Sequence, residues 1–204
     1  IFIAENGAFV MYQGKELYSS VVPVNEVHEI IHSVREIEHS HIVLCGKKSA
    51  YIETQNQQAV DEINHYYHRC ECVSDLLAVD DEFIKIAILN FNGTQEHVHP
   101  VVSPLFSDTH QVVVSAQIWL DIMNKGASKG EAIKHLQQLF DFSFEQSMSF
   151  GDYFNDIEML KETYHSYTME NAHADIKKLS RFEAPSNEEQ GVTFIIKHKV
   201  LAFI

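Results

Sequence analysis

The sequence predicts an α/β protein built around a doubly wound parallel sheet. Strand and helix patterns alternate through the C-terminal half of the chain, and this alternation is typical of a parallel sheet with helices on its faces. An apolar strand at 147–150 runs directly into Gly151 and Asp152, and the carboxyl ends of such strands are where these sheets bind ligands. The 204 residues suffice for one large domain or two small ones.

Composition and charge exclude several classes of protein. Apolar residues make up 45% of the chain and charged residues 22%, which is usual for a globular protein and excludes wholesale disorder. The formal net charge of −14 repels polyanions, so we expect no nucleic-acid partner. No uncharged apolar window approaches 18 residues, so we expect no membrane segment. Three cysteines and no secretory pattern favour a reducing, cytoplasmic location.

The first half of the chain combines strands with amphipathic helices. The apolar run at residues 1–4 has the character of a strand already in progress, and we expect a segment to precede it. Residues 24–38 follow Pro23 and place apolar side chains at helical spacing. Residues 94–107 fit a short helix or an irregular segment, because two prolines oppose a long helix. The remaining patterns predict strands at 42–45, 51–52 and 83–91, a helix near 57–68 and a turn at Asn92-Gly93.

The second half carries the alternating elements. Apolar side chains fall on one face of a helix at 129–140, and Ser128 with Glu131 forms the pattern of a capping box at its start. The other patterns predict strands at 111–116, 118–123 and 147–150, a loop at 151–155 and a helix at 156–162.

The loop after the strand at 147–150 concentrates polar groups. Its sequence, Gly-Asp-Tyr-Phe-Asn-Asp at 151–156, holds two carboxylates and an amide. Asp152 and Asp156 offer the hard oxygen donors that suit Mg²⁺, and Asn155 can donate to a phosphate. The same residues also fit a loop in which Asp and Asn only make turns, with Asn155 and Glu158 as a capping box for the next helix. Both interpretations stay open at this point.

Lys129 stands at the start of a helix, where a cation opposes the positive end of the helix dipole. A residue placed against the local rule is a candidate functional site, and a helix N-terminus with an ammonium group suits a phosphate. The alternative is a solvated lysine. The spacing does not match a P-loop. Because phosphoryl chemistry needs both a cation and a metal, Lys129 and the 151–156 loop support each other.

A further group of metal-binding residue types lies at His65, His68, Cys70 and Cys72. Transition metals accept these donors, but the spacing matches no recognised zinc pattern. The sequence therefore favours a surface helix end over a metal site and leaves the question open.

Five short segments stand in a defined order along the chain: Glu5-Asn6-Gly7-Ala8, Gly126–Gly130, Phe150–Leu160, Met169-Glu170-Asn171-Ala172, and Asn187 with Gly191-Val192. Their order and spacing resemble the Cof-type (IIB) phosphatases of the haloacid dehalogenase superfamily. The resemblance implies a Rossmann-like core domain at 1–20 and 108–204, with an α/β cap domain inserted at 21–107. It also implies Mg²⁺-dependent hydrolysis of small phosphorylated metabolites, such as sugar phosphates, through an aspartyl-phosphate intermediate.

The resemblance implies a role for each matching residue. Lys129 would steady the phosphoryl group and the nucleophile, and Asn155 would contact the phosphate. Asp152 would bind Mg²⁺, and Asp156 would support the metal through water. Asn171 and Asn6 would lie on the substrate side of the site.

The sequence departs from the family pattern at its N-terminus. Family enzymes attack phosphorus with an Asp of an Asp-x-Asp-Gly-Thr strand, whereas no Asp occurs here before residue 24. We therefore expect the nucleophile to lie upstream of this chain and the 204 residues alone to be inactive. A non-catalytic phosphate-binding or regulatory module of the same fold is the alternative, and a transferase or mutase on this scaffold is a weaker one. Neither the substrate nor the oligomeric state follows from the sequence.

Overall fold

The computed structural model describes residues 1–203 and divides into two compact units. The first unit joins Ile1–Tyr18 to the chain from Ser128 onward, and the second is Ser19–Ala127. The strands are β1 (Phe2–Ala4), β2 (Phe9–Tyr12), β3 (Lys15–Ser19), β4 (Ser40–Gly46), β5 (Ala50–Ile52), β6 (Cys70–Cys72), β7 (Phe83–Asn90), β8 (His110–Ala116), β9 (Trp119–Asn124), β10 (Met148–Gly151), β11 (His165–Met169) and β12 (Phe182–Ala184). The α-helices are α1 (Val24–Arg35), α2 (Gln57–Tyr66), α3 (Thr94–His97), α4 (His99–Phe106), α5 (Lys129–Phe140), α6 (Ile157–Lys161), α7 (Ala174–Lys177) and α8 (Gly191–Lys199).

The second unit is a six-stranded sheet in the order β6-β5-β4-β7-β9-β8. Its strands pair antiparallel except β5 and β6, which run parallel. Helix α1 buries four apolar side chains against one face of the sheet, as the helical spacing predicts. A second apolar cluster on the other face includes Ala59 and Ile63 of α2. Apolar clusters therefore pack against both faces of the sheet.

The two compact units divide the chain at positions that differ from the predicted domain boundaries. Residues 108–127, which the sequence analysis assigns to the core domain, belong to the second unit. The reason is strand pairing: β8 and β9 form an antiparallel pair, and β9 pairs with β7 in the middle of the six-stranded sheet. Leu120 and Ile122 of β9 complete the apolar cluster under α1. The other boundary falls after Tyr18 rather than after residue 20.

The ambiguous segment at 94–107 forms two short helices, α3 and α4, which meet at Val98. Pro100 lies in the first turn of α4, where backbone N–H groups have no partner within the helix, so the missing N–H of proline costs no hydrogen bond.

None of the helices in the described chain combines the length and hydrophobicity needed to span a bilayer.

The first unit contains two three-stranded sheets. Strands β1, β2 and β3 form a sheet in which β1 pairs antiparallel with β2. Strands β10, β11 and β12 are parallel neighbours, as the alternating strand and helix pattern predicts. Their apolar side chains pack with Ile195 of α8 in one core cluster. Because the three strands are parallel, their carboxyl ends lie along the same edge.

Candidate active site

Three loops meet at the carboxyl edge of the parallel sheet. Asp152 follows β10, Asn171 follows β11, and Asn187 follows β12. The N–H of His173 donates to the Asp152 carbonyl at 3.2 Å, and the N–H of Asn187 donates to Oδ1 of Asn171 at 3.1 Å. These bonds connect each loop to the next, so the edge forms one continuous set of loops.

The Asp156 carboxylate organises the loop after β10. The residue is 4% exposed, and its Oδ2 accepts the N–H groups of Asp152 at 2.9 Å and Tyr153 at 3.2 Å. Its Oδ1 accepts from Nζ of Lys129 at 2.5 Å. Both oxygens are thus engaged by the protein, which makes Asp156 a support for the loop and for the lysine.

The alternative interpretation, in which the loop residues only make turns and cap the next helix, agrees with the structure in part. Asp156 does hold a turn through its side chain. The capping box of Asn155 and Glu158 does not form: α6 begins without a side-chain cap, and Nδ2 of Asn155 donates to Oδ1 of Asn6 at 3.2 Å instead.

Lys129 is the first residue of α5, and its side chain is 30% exposed. The Ser128 hydroxyl accepts the Glu131 N–H at 3.1 Å, which caps the helix. The predicted capping box is only half formed, because the Glu131 carboxylate pairs with Lys134 at 2.8 Å. Because the cap fixes the start of α5 at Lys129, the ammonium group of this lysine is placed where it contacts the buried Asp156 carboxylate.

A left-handed turn at Asn6 and Gly7 holds the start of α5 from the other side. Their φ angles are 54° and 97°, which Asn and Gly adopt more readily than other residues. A Cβ atom on Gly7 would lie 2.2 Å from the Ser128 carbonyl oxygen. The turn therefore packs backbone to backbone against the residue that precedes Lys129.

Asp152 presents the open carboxylate of the site. The residue is exposed, and within residues 1–203 its side chain shows no hydrogen bond or ion pair, whereas its backbone bonds Asp156 and His173. A carboxylate of this kind suits Mg²⁺, which uses one or two carboxylates together with water and phosphate oxygens. The donor chemistry at Asp152 therefore fits that ion.

Comparison with known proteins identifies the family. Residues 1–196 match the haloacid dehalogenase-like hydrolases. The chain belongs to this family. It is 29% identical over 199 residues to the 5-amino-6-(5-phospho-D-ribitylamino)uracil phosphatase of Escherichia coli K12, covering 96% of this chain and 72% of that protein.

Solved structures agree with this family membership. A protein from Streptococcus mutans superposes on this haloacid dehalogenase-like hydrolase with a TM-score of 0.85 at 26% identity, covering 98% of this chain and 76% of the other. A sugar phosphatase of subclass IIB superposes with a TM-score of 0.77 at 22% identity, covering 96% and 74%. The resemblance stated from the motifs and the α/β fold class are both confirmed.

The structure brings some of the predicted residues of this hydrolase into contact and keeps others apart. Lys129 contacts Asp156, and Asn155 contacts Asn6. Asn171 lies on the neighbouring loop, where its side chain holds the backbone of Asn187. In the second unit, His65, His68, Cys70 and Cys72 do not form one centre, because no three His, Cys, Asp or Glu side chains among residues 1–203 gather as metal ligands.

The sequence patterns assigned no role to two contributors to the site, His173 and Gly7. His173 donates its N–H to the Asp152 carbonyl, and its ring lies 4.8 Å from the ring of Phe154, centroid to centroid. Gly7 provides the close approach to α5. The adjacent Asn6 and Gly7, a pair typical of left-handed turns, were the sequence signal for that approach.

Proposed function

We propose that this hydrolase removes phosphate from a small phosphorylated metabolite, and that the loops at the carboxyl edge of β10, β11 and β12 bind the phosphoryl group. The observation that carries the proposal is the junction of Lys129 with Asp156 and the backbone of the 151–153 loop. It brings together a cation that can bind phosphate oxygens and an acidic loop that can hold a metal ion. Two of the similar proteins are named as phosphatases, which supports removal of phosphate as the activity.

Lys129 and Asn155 are the proposed phosphate-binding residues. The Lys129 ammonium is anchored by one bond to Asp156, but 30% of the side chain stays exposed. An ammonium group has three donors, so two remain for phosphate oxygens. The exposed Asn155 amide uses one donor on Asn6 and retains a second. Both groups are therefore held in place before a phosphate binds, which reduces the cost of ordering them.

We assign the metal site to Asp152, with Asp156 as its support. Mg²⁺ bound there would neutralise part of the negative charge on the phosphoryl group. The protein's own contribution is to hold the Asp152 carboxylate toward solvent, through the bonds that its N–H and carbonyl make to Asp156 and His173. Asn6 and Asn171 would lie at the substrate side of this centre.

The proposed reaction needs a carboxylate nucleophile. Its oxygen forms a bond to phosphorus while the ester bond to the substrate oxygen breaks and that oxygen takes a proton; water then releases phosphate and restores the carboxylate. The first Asp of the 204 residues is Asp61, which lies in α2 of the second unit. We therefore propose that the nucleophile is supplied by residues outside these 204, and that the 204 residues alone bind phosphate without hydrolysing it.

The second unit is the proposed cap domain, which would select the substrate. The Escherichia coli relative is named for 5-amino-6-(5-phospho-D-ribitylamino)uracil, so this phosphorylated polyol is the first substrate to test. Sugar phosphates are the second. A non-catalytic phosphate-binding module remains the second candidate function, because the chain contains no Asp in its first sixty residues.

The test compares two proteins, the 204 residues and the same chain with whatever residues its gene encodes ahead of Ile1. Phosphate release from both substrate classes is measured with Mg²⁺ and with a chelator. We expect turnover only in a longer protein with an Asp-x-Asp-Gly-Thr strand, and loss of that turnover with the chelator or with Asp152→Asn. The matched control is Asp108→Asn, at an exposed aspartate between α4 and β8.

Two results would contradict the proposal. Undiminished turnover by Asp152→Asn would remove the metal assignment. Absence of turnover on every substrate, combined with Mg²⁺-dependent phosphate binding by calorimetry, would establish the binding module instead.

A further inference from the structure

Two consecutive aromatic side chains are exposed in the loop after β10. Tyr153 is 58% exposed and Phe154 is 45% exposed, and they directly follow Asp152, the proposed metal-binding residue. An aromatic ring gains free energy when it leaves water, and the exposure of both rings forgoes that gain. Exposed apolar surface beside a polar site is typical of a surface that contacts a ligand.

The aromatic cluster consists of Tyr153, Phe154 and the neighbouring His173. The rings of Tyr153 and Phe154 lie 5.2 Å apart, centroid to centroid, with 78° between their planes, so the edge of one ring meets the face of the other. The His173 ring lies 4.8 Å from the Phe154 ring, and the His173 side chain is 45% exposed. Both separations are those of favourable aromatic pairs. The cluster therefore exposes three adjoining rings beside Asp152.

Hydrogen bonds of the backbone hold the aromatic cluster in place. The N–H of Tyr153 donates to Oδ2 of Asp156 at 3.2 Å, and the N–H of His173 donates to the Asp152 carbonyl at 3.2 Å. Nδ1 of His173 accepts the N–H of Asp175 at 3.2 Å, which fixes the imidazole at the start of α7. Rings that are positioned before a ligand binds cost less to order in the complex.

The aromatic cluster and the proposed phosphate site share one loop. Tyr153 follows Asp152, and Phe154 precedes Asn155, and consecutive Cα atoms are only about 3.8 Å apart. The two rings are therefore carried by the same backbone segment as the proposed metal-binding carboxylate and the proposed phosphate-binding amide. A phosphate monoester bound at these groups has its organic part close to the rings.

The chemistry of the aromatic cluster favours a planar ring as its ligand. A planar aromatic ligand can stack on one ring face and contact the edge of another ring, as aromatic pairs do. The hydroxyl groups of a sugar need hydrogen-bond partners when they lose water. The side chains of the cluster offer only the Tyr153 hydroxyl and one nitrogen of His173 for that purpose, since Nδ1 is already engaged.

We propose that the aromatic cluster binds the organic part of the substrate and favours phosphate monoesters that carry a planar aromatic ring. This role rests on the proposed function, since the phosphoryl group must lie at Lys129, Asp152 and Asn155 for the rings to contact the rest of the ester. The first unit, and not only the proposed cap, then contributes to the choice of substrate.

The test compares two esters that differ only in their ring. Benzyl phosphate carries an aromatic ring, and cyclohexylmethyl phosphate carries a saturated ring with the same number of carbon atoms. Calorimetry measures the affinity of each ester for the 204-residue protein with Mg²⁺, and inorganic phosphate serves as the reference. We expect benzyl phosphate to bind at least about fivefold more tightly, which corresponds to about 1 kcal/mol, the lower end of the contribution from stacking.

Leucine substitutions remove a ring face and keep an apolar side chain. Tyr153→Leu and Phe154→Leu should each bring the ratio of the two ester affinities closer to one. His173→Asn keeps a side-chain acceptor at the start of α7 and should also lower the ratio, because it removes the third ring. The matched control is Phe140→Leu, which should keep the ratio of the wild type. The Phe140 ring is 41% exposed and makes an edge contact with another ring, but it ends α5, roughly 16 Å along the helix from Lys129.

The ratio of affinities does not change when a variant simply loses phosphate affinity or folded protein, because both esters lose equally. Equal affinity for the two esters in the wild type, with inorganic phosphate bound, would overturn the role of the aromatic cluster and leave the phosphate site intact. A ratio that survives both leucine substitutions in the cluster, or that falls in Phe140→Leu, would also overturn it. Failure of inorganic phosphate and of both esters to bind would overturn the phosphate site of the proposed function, and the role of the cluster with it.

Discussion

The Lys129 ammonium lies 2.5 Å from Oδ1 of Asp156, across the gap between the start of α5 and the loop after β10. The other oxygen of the same carboxylate accepts two backbone N–H groups of that loop. One buried carboxylate therefore determines the position of both the candidate phosphate-binding cation and the segment that carries Asp152. This coupling means that the charge of Asp156 should matter to stability as well as to activity.

Asp156→Ala should lower the free energy of unfolding by about 3 kcal/mol, because hydrogen bonds to charged groups contribute about 1.5–3 kcal/mol each and the freed loop donors are partly buried. Asp156→Asn retains an acceptor oxygen for the loop and should cost roughly half as much. Urea unfolding of the three proteins measures both effects. Values for Asp156→Ala within about 0.5 kcal/mol of the wild type, the range of ordinary surface changes, would show that the carboxylate does not organise the loop.

Lys129→Met should weaken Mg²⁺-dependent phosphate binding by more than about tenfold, which corresponds to about 1.4 kcal/mol. Lys129→Arg keeps the charge but changes the geometry, and should retain part of the affinity. The control is Lys134→Met in the same helix, whose ammonium pairs with Glu131 and Glu162 at the surface. Calorimetry with inorganic phosphate measures all three. Equal losses in Lys129→Met and Lys134→Met would mean that net charge, not the site, governs binding.

Gly7→Ala tests the packing of the Asn6–Gly7 turn on α5. An added Cβ would lie 2.2 Å from the Ser128 carbonyl oxygen at a φ of +97°, so we expect a loss of about 3 kcal/mol from strain and overpacking together. Gly14→Ala is the matched control: its φ is +76°, but nothing lies within 4 Å of the added atom, so only about 1 kcal/mol of backbone strain applies. Thermal unfolding distinguishes the two. Equal decreases in melting temperature for Gly7→Ala and Gly14→Ala would show that the close approach of Gly7 to Ser128 does not affect stability.

The sequence predicts the local elements well where one physical signal dominates. The apolar periodicity of α1 and α5 and the apolar strand of β10 correspond to observed elements within a few residues. The Asp-rich loop and Lys129 converge, as expected when strand ends and helix starts share an edge of a parallel sheet. These predictions depend on short-range patterns that the chain carries in consecutive residues.

Long-range pairing escaped the sequence analysis. Nothing in 108–127 indicates that β9 pairs with β7, about thirty residues earlier, because alternating apolar side chains fit either sheet equally well. The partner of Asn155 was also hidden, since Asn6 lies almost 150 positions away. Only one of the two hydrogen bonds of the predicted capping box at Ser128 forms, because the Glu131 carboxylate accepts from Lys134 instead. In each of these cases a strand or side chain has more than one possible partner, and the local sequence does not indicate which partner it takes.

The pH dependence of stability should reflect Arg35. Its guanidinium donates to Glu53 and Asp75, and these hydrogen bonds hold the pKa of both carboxyl groups below their ordinary values. The folded state then binds fewer protons than the unfolded state near those values, so this stabilisation is present above them and is lost as the pH falls. Arg35→Gln should therefore be least stable relative to wild type near neutral pH, and the difference should shrink between about pH 5 and 3.

Urea unfolding from pH 7 to 3 measures this difference. Lys48→Gln is the control, because that ammonium donates to the backbone carbonyl of Asp80, not to a carboxylate. Its effect should stay constant with pH. A pH-independent difference for Arg35→Gln would show that the pKa values of Glu53 and Asp75 do not depend on the arginine.

Lys85 and Asp121 form an ion pair inside the second unit, with 3.8 Å between Nζ and Oδ1 and side-chain exposures of 12% and 9%. Loss of one member of a buried pair is costly, since the remaining charge keeps its desolvation penalty, and we expect Lys85→Met to destabilise the protein by about 3 kcal/mol. Replacing both residues, Lys85→Met with Asp121→Leu, removes both charges and should be less destabilising than the sum of the single changes. A double-mutant cycle from urea unfolding gives the coupling directly. Additive single effects would show that the two charges do not interact.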